Sequence, residues 1–392
     1  MTANRRRVAG IPSTLVALGL LLVLSSCGDG RQAKPVAPAA SIEGPVVVGV
    51  VGPLTGDEAA YGSSVLAGVQ AAAKRFNAQG GLAGKAVEIL ALDDQSNTEL
   101  TIRQVKELID RKVVAILAAP TGASTFAPIH LVNESRTLFI SIGSRRHLKA
   151  SGDFVLRHAL PDDLATAGLM QEVKAKRGWT RFALVTSAND DFSLDLSALF
   201  RRAVIKQEGA VVLQADTYDT LTGSRNFAPV VAALKRSPER LDAVIFTGGA
   251  GEALALLQTL RQAGIALPLI GGEELHAPEF LAGGDVVEGT WLYAGYAADR
   301  KSPAMEAFRE AMGKPDSDRF AALAYDTLTM LAEAIRACGS TQADKLREAL
   351  LARTDFEGAT GSLRFSPDNQ PIKRPLVLRI EKTAGGERGF VE

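Results

Sequence analysis

The sequence has few of the side chains on which catalysis and metal binding usually depend. Its 392 residues include two cysteines and four histidines. The cysteines, Cys27 and Cys338, are too few for a disulfide framework or a cysteine-rich metal site. The histidines show no HExxH spacing, and no GxSxG segment provides a nucleophile elbow. The sequence therefore predicts a protein that uses neither a metal nor a cofactor and that is not an enzyme.

The glycine-rich segments lack the spacing of phosphate-binding loops. Residues 46–64, VVVGVVGPLTGDEAAYGSS, place a glycine-rich loop between an apolar run and a helix, but they contain neither GxxxxGK(S/T) nor GxGxxG. The loop offers Asp57 and Glu58 where an anion would need hydrogen-bond donors. A bound phosphate or dinucleotide is therefore not expected at this loop.

The chain has no excess of positive charge. Lys and Arg together number 44, and so do Asp and Glu. Without the three arginines of residues 1–26, 41 basic residues face 44 acidic ones, which leaves a net charge near −3. No dense basic stripe occurs, so a nucleic-acid partner is not expected. The adjacent acids Asp93–Asp94 and Asp190–Asp191 are predicted to be solvated or to cap helices rather than to catalyse.

The first 44 residues are predicted to be a targeting segment followed by a tether. A basic cluster precedes an apolar stretch, 11–24, that is too short to span a bilayer comfortably. The sequence LSSC at 24–27 resembles the bacterial lipobox, in which the cysteine is lipidated and becomes the first mature residue. We therefore predict a lipoprotein signal peptide at 1–26, lipidation of Cys27, and a flexible Pro/Ala/Gly-rich tether at 27–44. Export is predicted by the Sec route, with twin-arginine export as the alternative that the three arginines suggest. A plain secretory cleavage site and an uncleaved anchor are the alternatives.

Predicted strands and helices alternate along the rest of the chain, a pattern typical of parallel sheets with right-handed crossovers. The predicted strands include Leu138–Ile142 and Arg181–Ser187. Residues 46–158 and 181–296 each predict one doubly wound lobe. We predict that lobe 1 comprises 45–160 plus 297–358 and that lobe 2 comprises 161–296 plus 359–392, joined by a hinge of several chain crossings.

Three local predictions refine this organisation. The first helix is predicted at Ser63–Asn77, with Ser63 or Ser64 as its N-cap. A helix is predicted around Thr125–Glu134. The tail segments Gly361–Phe365 and Leu376–Glu381 are predicted to pair as a hairpin.

The predicted strand ends identify a candidate binding site, because parallel sheets place ligands beyond the carboxyl ends of their strands. These loops are small and rich in glycine and hydroxyl groups, and backbone amides at the following helix starts favour a carboxylate. The sequence thus predicts a polar small molecule clamped between two lobes. The loops are 52–62, 119–125 and 143–147 in the first lobe, and 188–193, 248–252 and 271–275 in the second.

Three segments resemble a known family: GPLTGDEAAYGSSVLAGVQAAAKRFNAQGGLAGKAVEILALDDQSN, LIGGEEL and ALAYDTLTMLAEAI. They are similar to landmarks of the type I periplasmic solute-binding proteins of ABC importers, in the branched-chain amino-acid (Leu/Ile/Val) class, and the resemblance covers about residues 45–385. It implies an α/β fold of two doubly wound parallel-sheet lobes joined by a multi-crossover hinge. It further implies a monomer that binds an amino acid or related small carboxylate and delivers it to an ABC permease complex. The location implied is extracytoplasmic, with a lipid anchor as the only attachment to a bacterial membrane.

The resemblance also implies ligand-binding roles for individual positions. Two aromatic residues, Tyr61 and Phe192, would cover the ligand, and Glu273 would pair with its amine. Tyr325 matches a hinge-side tyrosine. The loop positions that would bind the carboxylate are Thr121, Gly122, Ser124, Thr125, Ser144 and Arg145.

The chain departs from the family pattern at three of these places. Gly122 replaces a serine that amino-acid binders usually keep, and the tyrosine that often holds the ligand amine is missing from 248–251. Arg145 is an addition, and it would suit a ligand with a second acid group, because a guanidinium matches a carboxylate bidentately.

Two other functions are compatible with these residues. One is a ligand-sensing or regulatory lipoprotein of the same fold, for example an activator of a cell-wall synthase. The other is an enzyme on a Rossmann-like scaffold, which the missing nucleophile, base and cofactor loop disfavour.

Overall fold

A computed structural model describes residues 44–121, 123–144, 151–187, 189–218, 226–314, 317–383 and 385–392. The strands are β1 (Val46–Gly52), β2 (Val87–Asp93), β3 (Ala115–Ala118), β4 (Leu138–Ile142), β5 (Val155–His158), β6 (Arg181–Ser187), β7 (Ala210–Tyr218), β8 (Ala243–Phe246), β9 (Leu269–Gly271), β10 (Trp291–Ala294), β11 (Phe356–Gly358), β12 (Gly361–Phe365), β13 (Pro371–Ile372), β14 (Leu376–Lys382) and β15 (Arg388–Val391). The α-helices are α1 (Ala59–Ala78), α2 (Thr98–Asp110), α3 (Ala123–Phe126), α4 (Ile129–Glu134), α5 (Asp162–Arg177), α6 (Asp191–Lys206), α7 (Ala228–Arg236), α8 (Ala250–Gln262), α9 (Pro278–Leu281), α10 (Pro303–Met312), α11 (Arg319–Cys338) and α12 (Ala343–Ala352). Short 3₁₀ turns cover Glu273–Leu275 and Gly284–Val286.

The first sheet has the order β2-β1-β3-β4-β5, with every strand parallel to its neighbours. Its central strands are short apolar runs, and all residues of β3 and β4 are buried. Strands covered on both faces by helices read as continuous apolar runs, so this sequence pattern and the parallel sheet have the same cause.

The second sheet has the order β15-β14-β10-β9-β8-β6-β7. Strands β6 to β10 are parallel, while β14 runs antiparallel to β10 and β15 antiparallel to β14. Together the two sheets confirm the predicted fold class, an α/β protein with two parallel-sheet lobes.

The predicted tail hairpin is wrong. Strand β12 pairs with β11 and β13 in a small sheet, whereas β14 pairs with β10 and β15. The apolar side chains explain the separation, because Leu363 and Phe365 are buried in the core around the first sheet, and Leu378 and Ile380 in the core of the second. We predicted that 359–392 belongs wholly to lobe 2, and β12 departs from that boundary; the rest of the domain division stays a prediction.

Two predicted helices also differ from the observed ones in their bounds. Helix α1 begins at Ala59 rather than Ser63, and its N-cap is Glu58, without a side-chain cap bond. Ser64 does not cap the helix, because its hydroxyl donates to the Asp318 carboxylate at the start of α11. The helix predicted around 125–134 is divided into α3 and α4.

The chain passes between the two lobes three times within the described residues. It does so between β5 and α5, between β10 and α10, and between β13 and β14. Helices α10, α11 and α12 return to the first core after the second crossing. Helices α1 and α11 approach so closely that a Cβ at Gly68 would lie 2.1 Å from the Ala321 carbonyl oxygen. Among the described helices, none combines the length and apolarity needed to cross a bilayer.

Candidate functional site

Two acidic side chains at the end of β2 hold the first-lobe loops in place. Asp93 accepts hydrogen bonds from the Leu54 amide at 2.8 Å and the Thr55 hydroxyl at 2.5 Å, which ties the loop after β1 to the end of β2. Burial raises the pKa of Asp93, but these hydrogen bonds outweigh burial and hold it below its ordinary value. Asp94 is buried and accepts from the Thr101 hydroxyl at 2.9 Å, and burial raises its pKa. Both acids therefore position loops, whereas the sequence predicted that they would be solvated or cap a helix.

The loop after β3 contains three of the predicted carboxylate-binding residues. The Thr125 hydroxyl accepts from the Thr121 amide at 2.7 Å and donates to the Ala119 carbonyl at 3.0 Å. The Ser124 hydroxyl lies 2.8 Å from that of Thr98. Ser124 and Thr125 are buried and Thr121 is half-buried. Their hydrogen bonds shape the loop, and a ligand role for these residues stays a prediction.

Glu273 is the predicted acid of the second lobe, and the structure places it between the lobes. It opens the 3₁₀ turn after β9 and is 6% exposed. Its Oε1 accepts from the Gly295 amide at 2.7 Å, and its Oε2 lies 3.5 Å from Nη1 of Arg319. Gly295 follows β10, whereas Arg319 is the first residue of α11 in the first lobe. An ion pair thus connects the strand ends of one lobe to a helix of the other.

Two aromatic rings support this arrangement on the first-lobe side. The Arg319 Cζ lies 4.8 Å from the centroid of the Phe320 ring, and that ring lies edge-on to Tyr61 at 5.2 Å. Gly143, after β4, has φ +81°, and a Cβ there would lie 2.7 Å from the Phe320 ring. Tyr61 and Glu273, both predicted from the sequence, are therefore linked through Phe320 and Arg319, which were not.

A small cavity lies against these residues and receives side chains from both lobes. Its volume is about 10 Å³, close to the space that one water molecule requires. The Tyr296 hydroxyl at its wall donates to the Ser317 carbonyl at 2.8 Å, and burial raises the pKa of Tyr296 to about 12. The lining residues are Gly143, Ala159, Leu160, Glu273, Gly295, Tyr296, Arg319 and Leu323.

The structure places two other predicted residues elsewhere. Tyr325 is buried in the first core, where its hydroxyl accepts from Arg75 at 2.9 Å and its ring lies 5.3 Å from Phe308. Its helical position directs it toward α1 and α10, and it is not among the described residues that line the cavity. Phe192 is 37% exposed in the first turn of α6, and it does not line the cavity either.

Four predicted residues have little or no structural description. The Ser144 carbonyl accepts from the Arg157 guanidinium at 3.4 Å, and Ser144 is half-buried. Gly122 and Arg145 lie outside the described residues, as does Cys27.

The sequence analysis missed Arg319, Phe320 and Tyr296. A signal for the first two was present, because Asp318 marks a helix start directly before the segment ALAYDT, and helix starts are frequent binding positions. Tyr296 was predicted as the last residue of a strand, whereas β10 ends two residues earlier, at Ala294. All three would have been found by extending the strand-end argument to the chain crossing after β10 and the helix start beyond it.

Two sheets with facing strand ends and an ion pair between them are an arrangement typical of proteins that bind a small molecule between lobes. The sequence profile of the periplasmic binding protein family matches residues 45–386. The chain therefore belongs to this family. Within the family it is similar to type I proteins of the branched-chain amino-acid class.

Individual relatives agree with this placement. The leucine-, isoleucine-, valine-, threonine- and alanine-binding protein of Pseudomonas aeruginosa is 24% identical over 324 residues, covering 82% of this chain and 85% of the relative. The crystal structure of a putative branched-chain amino acid ABC transporter from Rhodospirillum rubrum superposes with a TM-score of 0.78 at 25% identity, covering 88% of this chain and all of that one. A solute-binding protein of R. palustris in complex with 4-hydroxybenzoate has the same fold, with a TM-score of 0.68 at 19% identity and coverage of 89% and 96%.

Proposed function

We propose that the protein is the lipid-anchored, extracytoplasmic substrate-binding component of an ABC importer. It captures an amino acid or a related small carboxylate between its lobes and delivers it to the permease. The observation that supports this proposal is the meeting of Glu273 and Arg319, from opposite lobes, at the strand-end cavity. A buried acid that meets a half-buried arginine between two lobes suits a small ionic ligand better than an apolar one.

The proposed mechanism is capture by lobe closure. The loop at 121–125 and the helix starts of the first lobe supply backbone amides and hydroxyls for a carboxylate. The strand-end loops of the second lobe then close over the ligand. A ligand that contacts both lobes stabilises the closed arrangement, because its contacts are complete only in that state. The permease would distinguish the closed protein from the open one.

Lipidation at Cys27 would keep the protein next to its permease. The proposal depends on the LSSC segment and the Pro/Ala/Gly-rich stretch after it. Cys27→Ser should abolish incorporation of labelled fatty acid and release the protein from the membrane fraction. Cys338→Ser is the matched control and should leave both properties unchanged. A Cys27→Ser protein that is still lipidated and processed at the same position would contradict the anchor.

A ligand screen tests the proposed function. Purified protein is heated with single amino acids, amides, urea and aromatic acids, since a ligand that binds only the folded state stabilises it by about 2.7 kcal/mol at 100 times its Kd. We expect at least one small carboxylate to raise the melting temperature. We also expect cells that lack the protein to lose uptake of that compound. A binder whose uptake is unaffected would contradict import and favour sensing, whereas a screen without any binder would contradict the proposed function.

A further inference from the structure

We propose that Arg319 determines the ligand class: the protein takes a carboxylic acid that lacks an α-ammonium group, and the Arg319 guanidinium binds its carboxylate. The inference deepens the proposed function and rests on it. It replaces the role that the sequence analysis gave to Glu273, which was to pair with the ammonium group of an amino acid.

The first step is that Glu273 already has cationic and N–H partners within the chain. Gly295 donates to one carboxylate oxygen at 2.7 Å, and Arg319 lies 3.5 Å from the other. Lys373 is a further cation that interacts electrostatically with Glu273. Burial lowers the pKa of Lys373 to about 8, and the negative charges of Asp326 and Glu273 oppose that shift. A ligand ammonium would therefore add a positive charge where the acid is already compensated.

The second step is that Arg319 keeps donors for a ligand. A guanidinium carries five N–H groups, and among the described residues its one ionic contact is that to Glu273. The distance of 3.5 Å exceeds the 2.7–2.9 Å of a charge-assisted hydrogen bond, so the pair is loose. The side chain is 37% exposed and rests on the Phe320 ring, which orients the guanidinium beside the cavity. A carboxylate can pair with this fork bidentately while Glu273 keeps its bond from Gly295.

The third step concerns the amino acid as a competitor. Its ammonium would have to displace Arg319 from Glu273 or lie beside the guanidinium as a like charge in a buried site. Displacement breaks the ion pair between the lobes, and coexistence brings two cations together where water is scarce. An amine-free acid meets neither cost, because it carries no cation, and Arg319 has further N–H groups that can donate to its carboxylate while the contact with Glu273 is kept.

Matched ligand pairs test this inference. Leucine and isocaproate differ only in the amine, as do phenylalanine and hydrocinnamate. Titration calorimetry on the wild-type protein should show the amine-free member of the better-binding pair to be favoured by at least about tenfold in Kd. Arg319→Gln should weaken the binding of that acid by about tenfold or more. It should also reduce or reverse the preference for the amine-free member of the pair. Arg319→Lys keeps the positive charge but loses the forked guanidinium. Its affinity for the acid should lie between those of the wild-type protein and Arg319→Gln.

The controls separate this effect from a loss of folding. Arg136→Gln removes an exposed arginine that pairs with Asp344, and it should leave both affinities unchanged. Each variant is first checked for an unaltered melting temperature without ligand.

The outcomes separate this inference from the proposed function. A wild-type protein that prefers the amino acid of each pair would overturn the inference alone, as would an Arg319→Gln variant that folds and keeps the same preference. Failure of every amine-bearing and amine-free acid to bind would contradict the proposed function as well.

Discussion

At the scale of single residues, Gly143 shows how closely the site is packed. It combines φ +81° with a ring of Phe320 only 2.7 Å from the position of a Cβ. The residue thus meets two separate requirements, a left-handed backbone and close contact with an aromatic ring that supports Arg319 and Tyr61. Only the second requirement concerns the site.

The variant Gly143→Ala is expected to destabilise the protein and to weaken ligand binding. The left-handed backbone costs about 1 kcal/mol with alanine, and the clash with Phe320 adds about 1–3 kcal/mol. Urea unfolding measures the change in the free energy of unfolding. Gly264→Ala is the matched control, because Gly264 has φ +77° and open space around its Cβ position. Equal losses in the two variants would show that Phe320 moves aside freely and does not hold the site.

At the scale of elements, helix α11 connects the site to the chain crossings. Its first residue, Arg319, lines the cavity, as does Leu323 one turn later. In the following turn, α11 contributes two residues to a buried polar group that we name the crossing cluster: Asp326, Thr327, His158, Thr360 and Lys373. Asp326 accepts from the Thr360 amide and hydroxyl, both at 2.7 Å. Lys373 donates to the Thr360 hydroxyl at 2.8 Å, and His158 Nδ1 lies 2.8 Å from the Thr327 hydroxyl.

The crossing cluster joins two of the three passages between lobes. His158 ends β5 directly before the first passage, and Lys373 lies in the third. Burial raises the pKa of Asp326 and lowers that of Lys373 to about 8, so each charge depends on the other for compensation. The cluster therefore holds these two crossings at defined positions relative to each other.

Acid should destabilise the protein through His158. Burial, and then the charge of Lys373, lower the pKa of His158 well below 6.5. Below about pH 6.5 the unfolded chain therefore binds a proton that the folded one does not, and the free energy of unfolding falls as pH falls, by up to about 1.4 kcal/mol per pH unit. His158→Gln should reduce this slope in urea unfolding between neutral pH and pH 5 but not abolish it, because burial also lowers the pKa of His276. The exposed His130 offers the control variant His130→Gln, and an unchanged slope in His158→Gln would assign the effect to other groups.

At the scale of the whole molecule, we expect the lobes to separate when a ligand enters. The cavity between them is about 10 Å³, whereas ligand pockets usually measure about 300–1,000 Å³. The three chain crossings allow such a movement, since a hinge is formed by a few residues that absorb changes in backbone angles. The Glu273–Arg319 pair would open with the lobes.

Solution scattering should detect this movement. With a saturating ligand from the screen, the radius of gyration should be smaller than without it, because the bound ligand holds the lobes together. A non-binding compound of similar size from the same screen serves as the control. If a confirmed tight binder leaves the radius unchanged, the protein has a rigid pocket and capture by closure is wrong.

Much of the fold was predictable because it depends on local patterns. Strands β4 and β6 were predicted with the residues that the structure shows, since short apolar runs bounded by turns are independent of distant sequence. The alternation of strand and helix then implies parallel sheets, and parallel sheets imply strand-end loops as the site. Tyr61 and Glu273 followed from that reasoning together with the family resemblance.

The remainder depends on contacts between distant parts of the chain. The sequence pattern suggests that β12 and β14 pair with each other. They lie in different sheets because Leu363 is buried in the first core and Ile380 in the second. The phase of α11 turns Tyr325 toward Arg75, because close packing on α1 fixes which face of the helix is covered. Arg319 reaches Glu273 because the chain has crossed between the lobes once more before α11 begins. No local pattern encodes that meeting, which depends on the relative position of two lobes.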